Sequence, residues 1–252
     1  MSKSPKQEDH SDQMNVMQHI IELRKRILNV AYVVIIVAIL SYSFTADLFT
    51  FFAAPFTNTF STTELNAQLI GTGPAEAFML RMKLAFFSGV IFSCPWIFYQ
   101  LWLFVEPGLY DNEKKFILPF VISTTILFII GMLFAYYLVL PIAYSFFAGQ
   151  YESIGIAPTI RITEHLAIVI KLLLAFAFVF ELPIVSVLLA RAGILRSQMM
   201  IDYWRYVVLG VFVCSAIVTP PDILSQFLMA CPVMFLYVLS YYLVKIIEEK
   251  KT

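Results

Sequence analysis

The sequence predicts an all-α membrane protein with six transmembrane helices, organised as one integral membrane domain over residues 1–252. Hydrophobic residues make up 60% of the chain, whereas Asp, Glu, Lys and Arg make up 13%, about half of their usual share in globular proteins. Such a composition excludes a disordered chain, and three cysteines in 252 residues exclude a disulfide scaffold. Seventeen basic and seventeen acidic residues cancel, so no overall field attracts nucleic acid.

Six apolar runs follow a polar tail at residues 1–18. About 20 apolar residues cross a hydrocarbon core of about 30 Å, and the runs cover about residues 27–46, 76–104, 116–140, 164–189, 206–219 and 222–243. No internal repeat or long linker separates them. The last two helices are expected to be short. The fifth run is the shortest of the six and would reach only about 21 Å as a helix.

Proline and glycine punctuate the second run. Gly73 and Pro74 followed by Glu76 indicate a helix start, with the acid near the positive end of the helix dipole. A helix over residues 74–104 would measure about 46 Å, which exceeds the bilayer. We therefore expect it to tilt, to project outward, or to kink at Pro95.

The basic residues predict the orientation. An even number of spans places both termini on one side, and thirteen basic residues fall on that side (Lys3, Lys6, Arg24, Lys25, Arg26, Lys114, Lys115, Arg191, Arg196, Arg205, Lys245, Lys250 and Lys251). The opposite side has Arg161 in a loop, with Arg81, Lys83 and Lys171 just inside span ends. The positive-inside rule therefore predicts that both termini are cytoplasmic.

Glu22 lies just before the first span. Its spacing allows an i,i+4 pair with Arg26. The alternative is a carboxylate that binds a basic ligand, and the spacing leaves both interpretations open.

Glu181 lies inside the fourth run, about eight residues from its cytoplasmic end. A short acidic side chain at that depth faces the helix bundle or a cavity. The alternative is a structural hydrogen bond near the carbonyls that Pro183 frees. Lys171 lies about 15 Å away along the helix axis, so the two residues are not predicted to pair directly.

Asp222 follows Pro220 and Pro221 at the start of the sixth run, and Gln226 lies one helical turn later. Asp222 could simply cap that helix. Together the two side chains also predict a polar patch at the tip of the last hairpin.

Signals of enzymatic activity are absent from the sequence. No G-x-S-x-G, H-E-x-x-H or P-loop pattern occurs. The three histidines are scattered, and the three cysteines lie within apolar runs. The sequence therefore predicts no catalytic residue, no metal site and no cofactor.

Five sequence blocks resemble the TatC family, the core subunit of the twin-arginine protein translocase. They occur in the family's order at residues 19–27, 73–78, 99–114, 180–183 and 219–226. The resemblance implies an inner-membrane protein of bacteria that binds signal peptides with two consecutive arginines. It also implies assembly with TatB-like and TatA-like single-span partners and with further copies of the chain, and export of folded proteins driven by the proton-motive force.

The resemblance also implies roles for individual residues. Glu22 and Glu113 would hold the arginine pair, while Phe104 and Leu109 would shape the same surface. Glu181 would be a carboxylate of an intramembrane cavity, with Gln226 nearby. Pro55 and Glu76 would belong to an outer cap, and Asp222 and Gln226 to the hairpin that contacts partner helices.

Two other functions stay open at the level of sequence. A proton-coupled transporter of a small solute could use Glu181 with Lys171, although transporters commonly contain internal repeats. An intramembrane hydrolase could use Glu181 with Asp222, although their positions place them in opposite halves of the membrane.

Overall fold

The computed structural model describes residues 5–61, 67–105, 117–218 and 223–251, and these are predominantly α-helical. Two short strands, β1 (Gln68–Ile70) and β2 (Thr159–Arg161), pair in parallel, with Leu69 opposite Ile160. The helices are α1 (Pro5–Ser41), α2 (Thr45–Ser61), α3 (Glu76–Phe92), α4 (Cys94–Val105), α5 (Ile117–Phe134), α6 (Leu140–Ile154), α7 (Ile162–Phe180), α8 (Leu182–Arg191), α9 (Ser197–Asp202), α10 (Trp204–Val218) and α11 (Ile223–Lys251).

Several helical stretches have the length and apolarity that a membrane span requires. Among the described residues there are four: Met17–Ser61, Leu118–Ile154, Ile162–Arg191 and Ser225–Glu249. Large apolar side chains on them face outward, such as Ile39 at 68% exposure and Phe235 at 71%. Apolar surface of this extent is unusual on a soluble monomer and suits contact with lipid chains. The protein is therefore a helical, polytopic membrane protein.

The second apolar run forms a broken helix. Helix α3 ends at Phe92, α4 begins at Cys94, and the two are bent by 56°. Pro95 has no N–H to donate, and its ring clashes with the carbonyl four residues earlier. The predicted kink at Pro95 is confirmed, and this bent pair is a candidate fifth span. The shorter apolar helix Trp204–Ile217 coincides with the fifth predicted run.

The expectation that both of the last helices are short is wrong for the final one. Helix α10 has 15 residues, but α11 has 29. The apolar run ends near Leu243. The helix continues beyond it through Ile, Glu and Lys residues, which helices tolerate or favour. Val244 is fully buried in a cluster with Ala190 and Met200, so packing also supports the extension.

Packing divides the chain into two compact units, and its organisation as a single domain stays a prediction. The first unit comprises Met1–Ser43 and Ala85–Ile122. In it α1 packs against α4. Helix α3 also approaches α1 closely, because a Cβ atom on Gly89 would lie 2.8 Å from Cβ of Ala38 and 2.9 Å from the carbonyl oxygen of Val34. Small residues permit such close crossings in membranes.

The second unit comprises Phe44–Leu84 and Ser123–Thr252. Helix α2 packs on α6 and α7, and α11 packs on α8, α9 and α10. A chain of buried hydrogen-bonding groups links α2, α6 and α7. The hydroxyl of Tyr144 lies 3.0 Å from Nδ1 of His165, and Nε2 of His165 lies 3.3 Å from the carbonyl oxygen of Phe52. These contacts satisfy polar groups that would otherwise be costly to bury.

The extension of α11 also binds the short helix α9. The carboxylate of Glu248 accepts hydrogen bonds from the backbone N–H and the hydroxyl of Ser197, with a distance of 3.0 Å for the first. Ser197 is the first residue of α9, where backbone N–H groups lack partners within the helix. Glu248 therefore caps α9 from a distant part of the chain.

We expect Glu248→Ala to lower the free energy of unfolding by about 1–2 kcal/mol, because a charged acceptor at a helix start is lost. Thermal unfolding of the purified chain in detergent measures this effect. Glu249→Ala is the matched control, since Glu249 is exposed and has no partner among the described residues. Equal destabilisation by both substitutions would contradict the capping role.

Candidate functional site

Glu22 lies on α1 and is paired with Arg26 on the next turn. Nε of Arg26 donates to Oε1 of Glu22 at 3.0 Å, and Nη2 of Arg26 donates to the same oxygen. The side chains of Arg26 and Glu22 are 21% and 34% exposed, so the pair is half-buried. The i,i+4 pair that the sequence allowed is therefore formed.

Helix α4 presents two side chains to the same face of α1. Nη1 of Arg26 donates to Oε1 of Gln100 at 3.4 Å. One turn along α4, the ring of Phe104 stacks on His19, with centroids 4.2 Å apart and planes inclined by 20°. Since positions 19, 22 and 26 share one helix face, the predicted site residues Glu22 and Phe104 both lie on this contact of α1 with α4.

A shallow cleft of about 400 Å³ surrounds Glu22. Its walls come from one face of α1, and Gln18, Ile21, Lys25 and Asn29 line it together with Glu22 and Arg26. The cleft combines the carboxylate and two amide groups, which can accept hydrogen bonds, with the basic side chains of Lys25 and Arg26. The predicted partners Glu113 and Leu109 lie outside the described residues.

Glu76 links the start of α3 to the start of α7. Its Oε2 accepts from the backbone N–H of Thr72 and, at 3.1 Å, from the Thr72 hydroxyl. Its Oε1 accepts from the hydroxyl of Thr163 at 2.7 Å, and Arg161 donates to the Thr72 hydroxyl at 2.9 Å. Because Arg161 ends β2 and Thr72 follows β1, this network joins the two strands to both helices.

Pro55 lies inside α2, the helix that packs on α6 and α7. It is buried, and its carbonyl accepts from the hydroxyl of Thr59 at 2.8 Å. Pro55 therefore lies in the helix that packs on α6 and α7, whereas the Glu76 side chain links the start of α3 to the start of α7. Their shared place in an outer cap stays a prediction, and Asp222 lies outside the described residues.

Glu181 occupies the junction between α7 and α8. The residue is 7% exposed, and its Oε1 is buried without a hydrogen-bond partner among the described residues. Its backbone is satisfied, because its N–H donates to Phe178 and its carbonyl accepts from Val185. Among the residues that the structure describes, the side chain therefore does not make the structural hydrogen bond near Pro183 that the sequence left open as an alternative.

Gln226 lies near the start of α11 and is half-buried. A larger apolar groove of about 480 Å³ lies between α8, α9, α10 and α11. Its walls include Met199, Tyr203 and Val233, and neither Glu181 nor Gln226 lines it. The predicted cavity of Glu181 with Gln226 stays a prediction.

Sequence reasoning missed Gln100 as a site residue. It is 5% exposed and stands within the otherwise apolar segment around Trp96 and Trp102. A buried amide in such a segment requires a partner, and this was the available signal. The partner itself, Arg26, is 74 residues away and could not be identified from spacing.

Comparison with known proteins identifies the family. The family profile "Sec-independent protein translocase protein (TatC)" matches residues 18–232. A Sec-independent protein translocase protein TatC of Magnetococcus marinus is 39% identical over 237 residues, which is 94% of this chain and 86% of that protein. The corresponding protein of Escherichia coli (strain K12) is 35% identical over 226 residues, which is 90% of this chain and 86% of that protein.

A solved structure agrees with these relatives. The crystal structure of the twin arginine translocase receptor TatC superposes with a TM-score of 0.82 at 33% identity, covering 91% of this chain and 99% of that one. Sequence and fold thus point to the same family over most of the chain. The chain belongs to the TatC family and is an integral membrane component of a Sec-independent protein translocase.

Proposed function

We propose that this chain is the receptor subunit of a twin-arginine translocase in the bacterial inner membrane. It binds signal peptides that carry two consecutive arginines, on folded precursors, at the cytoplasmic face of the membrane. It has six spans with both termini in the cytoplasm, and it performs no catalysis of its own. The similarity to the twin arginine translocase receptor over 91% of the chain supports this proposal.

The observation that carries the proposal is the guanidinium of Arg26 on the carboxylate of Glu22. A carboxylate that receives a planar fork of N–H groups from its own chain is chemically suited to receive one from a ligand. Glu22 takes one ligand arginine and Glu113 takes the other. Phe104 and Leu109 supply the apolar border of the same surface.

An interfacial location favours such recognition. Two charges near the membrane surface attract each other more strongly than in bulk water, without the full desolvation cost of deep burial. Lysine offers one compact ammonium instead of a fork. The site therefore selects arginine over lysine by geometry as well as by charge.

The remaining site residues serve assembly and transport. Pro55 and Glu76 belong to the outer cap, and Asp222 and Gln226 belong to the hairpin that contacts TatB-like and TatA-like single-span helices. Glu181 provides a polar intramembrane surface for a signal peptide or partner helix. The complex contains several copies of the chain, and the proton-motive force drives export. A small-solute transporter is not favoured, because the relatives are translocase proteins.

Binding of synthetic signal peptides to the full chain in nanodiscs tests the proposal. We expect Glu22→Gln and Glu113→Gln each to weaken the binding of a twin-arginine peptide by at least about tenfold, since each removes a charge-assisted hydrogen bond. Glu152→Gln is the control, because it removes an exposed carboxylate on α6 and should leave affinity unchanged. Equal affinity for a lysine-lysine peptide would overturn the proposed recognition.

A further inference from the structure

The guanidinium of Arg26 is held from two sides. Nε and Nη2 donate to Oε1 of Glu22 on its own helix, and Nη1 donates to Oε1 of Gln100 on α4. All three nitrogens of the side chain are therefore engaged within the first unit. An exposed i,i+4 pair usually contributes little, whereas this arginine is hydrogen-bonded to side chains of two helices.

Gln100 makes this arrangement more than a local helix pair. The amide is almost fully buried, and a buried amide oxygen without a donor is costly. Arg26 supplies that donor, so withdrawal of Arg26 removes a hydrogen-bond donor from both the Glu22 carboxylate and the Gln100 amide oxygen. The position of Arg26 is thus coupled to the packing of α4 on α1.

Glu22 has one oxygen left for a ligand. Oε2 has no hydrogen-bond partner among the described residues. A ligand guanidinium can take Oε2 while Arg26 stays, but two cations on one carboxylate repel each other. A bidentate contact with both oxygens requires Arg26 to release Oε1.

We propose that Arg26 is a resident guanidinium that occupies Glu22 in the ligand-free chain and competes with the ligand's arginine. The inference rests on the proposed function, because it concerns the same carboxylate. A ligand guanidinium that takes both oxygens must first displace Arg26 from Oε1, so Arg26 lowers the affinity for arginine. The cost of displacing Arg26 does not depend on the ligand, and a lysine ammonium can take Oε2 while Arg26 stays.

The test measures the affinity of twin-arginine and lysine-lysine peptides for the full chain in nanodiscs. We expect Arg26→Gln to tighten binding of the twin-arginine peptide about fivefold, which is the upper range for an ion pair of this kind. Binding of the lysine-lysine peptide should tighten by no more than this, because a lysine ammonium can take Oε2 without displacing Arg26. Gln100→Leu should act in the same direction with a smaller effect, because it frees Arg26 from α4.

Arg24→Gln is the matched control, because it removes the same charge from the same helix, and Arg24 is exposed and does not line the cleft. It should change either affinity by less than about twofold. Weaker binding by Arg26→Gln, or equal effects of Arg26→Gln and Arg24→Gln, would overturn the competition.

Side-chain NMR separates this inference from the proposed function. The Nε–H resonance of Arg26, identified by its loss in Arg26→Lys, should move when the twin-arginine peptide saturates the chain. Peptide binding without any movement of that resonance would leave the receptor function standing and overturn the competition. No binding of the peptide to the unmodified chain would overturn both.

Discussion

Gly131→Val is expected to prevent the second unit from reaching its folded arrangement in the membrane. A Cβ atom at position 131 would lie 2.6 Å from the carbonyl oxygen of Phe176 and 3.0 Å from Cα of Ala177. The obstacle is the backbone of α7, which cannot rotate away as a flexible side chain can. Overpacking of a close-packed site typically costs about 1–3 kcal/mol, and valine adds two further carbons to a position that has no room for the first.

The amount of folded chain in membranes and its unfolding midpoint in detergent measure the effect of Gly131→Val. Gly149→Ala is the control, because Gly149 lies in α6 with no atom within 4 Å of the added Cβ. That substitution should be neutral or stabilise the helix by up to about 1 kcal/mol. A normal yield and midpoint for Gly131→Val would show that α5 and α7 separate easily at this crossing.

Composition, the length of apolar runs and helix punctuation were sufficient to predict the membrane class and most span positions. Long uncharged runs require helices in lipid, because every backbone polar group must be satisfied internally. The break at Pro95 followed from the chemistry of one residue. In contrast, the length of α11 depends on contacts of Val244 and Glu248 with α8 and α9, which a hydropathy pattern does not contain.

Close crossings could not be predicted from composition. Gly89 and Gly131 lie in apolar runs as Gly210 does, yet only the first two face a neighbouring backbone within 3.0 Å. The difference arises from how helices cross, which depends on tertiary packing. Helices α2 and α6 follow the first and third predicted spans and were not predicted from the sequence. They pack on each other, and this contact also depends on tertiary packing.

The candidate site was predicted in part. The position of Glu22 before the first span indicated either an ion pair or a ligand contact, and the pair with Arg26 is observed. The involvement of Gln100 depends on which face of α4 meets α1, so it required the structure. Phe104 was assigned through family resemblance, and its stacking on His19 provides a physical reason for its place on this surface.

Glu181→Leu is expected to stabilise the chain and to abolish its function. The buried Oε1 of Glu181 has no hydrogen-bond partner among the described residues, and an unsatisfied buried polar atom costs about 1–3 kcal/mol. Leucine removes this cost with a side chain of similar volume, so the unfolding midpoint in detergent should rise by several degrees. Export of a folded reporter with a twin-arginine signal, in cells that lack their own TatC, should fall at least about tenfold.

Ser240→Ala distinguishes this effect from the general removal of a buried polar group. The hydroxyl of Ser240 is fully buried but donates to the carbonyl of Leu236 at 2.7 Å, so its removal should change stability by less than about 1 kcal/mol and leave export intact. Loss of stability in Glu181→Leu would indicate a structural carboxylate, and normal export would remove its proposed role in transport. A stabilising substitution that abolishes export requires a different explanation: the unsatisfied carboxyl is maintained at a cost in stability because a translocating peptide or partner helix supplies its missing hydrogen bond.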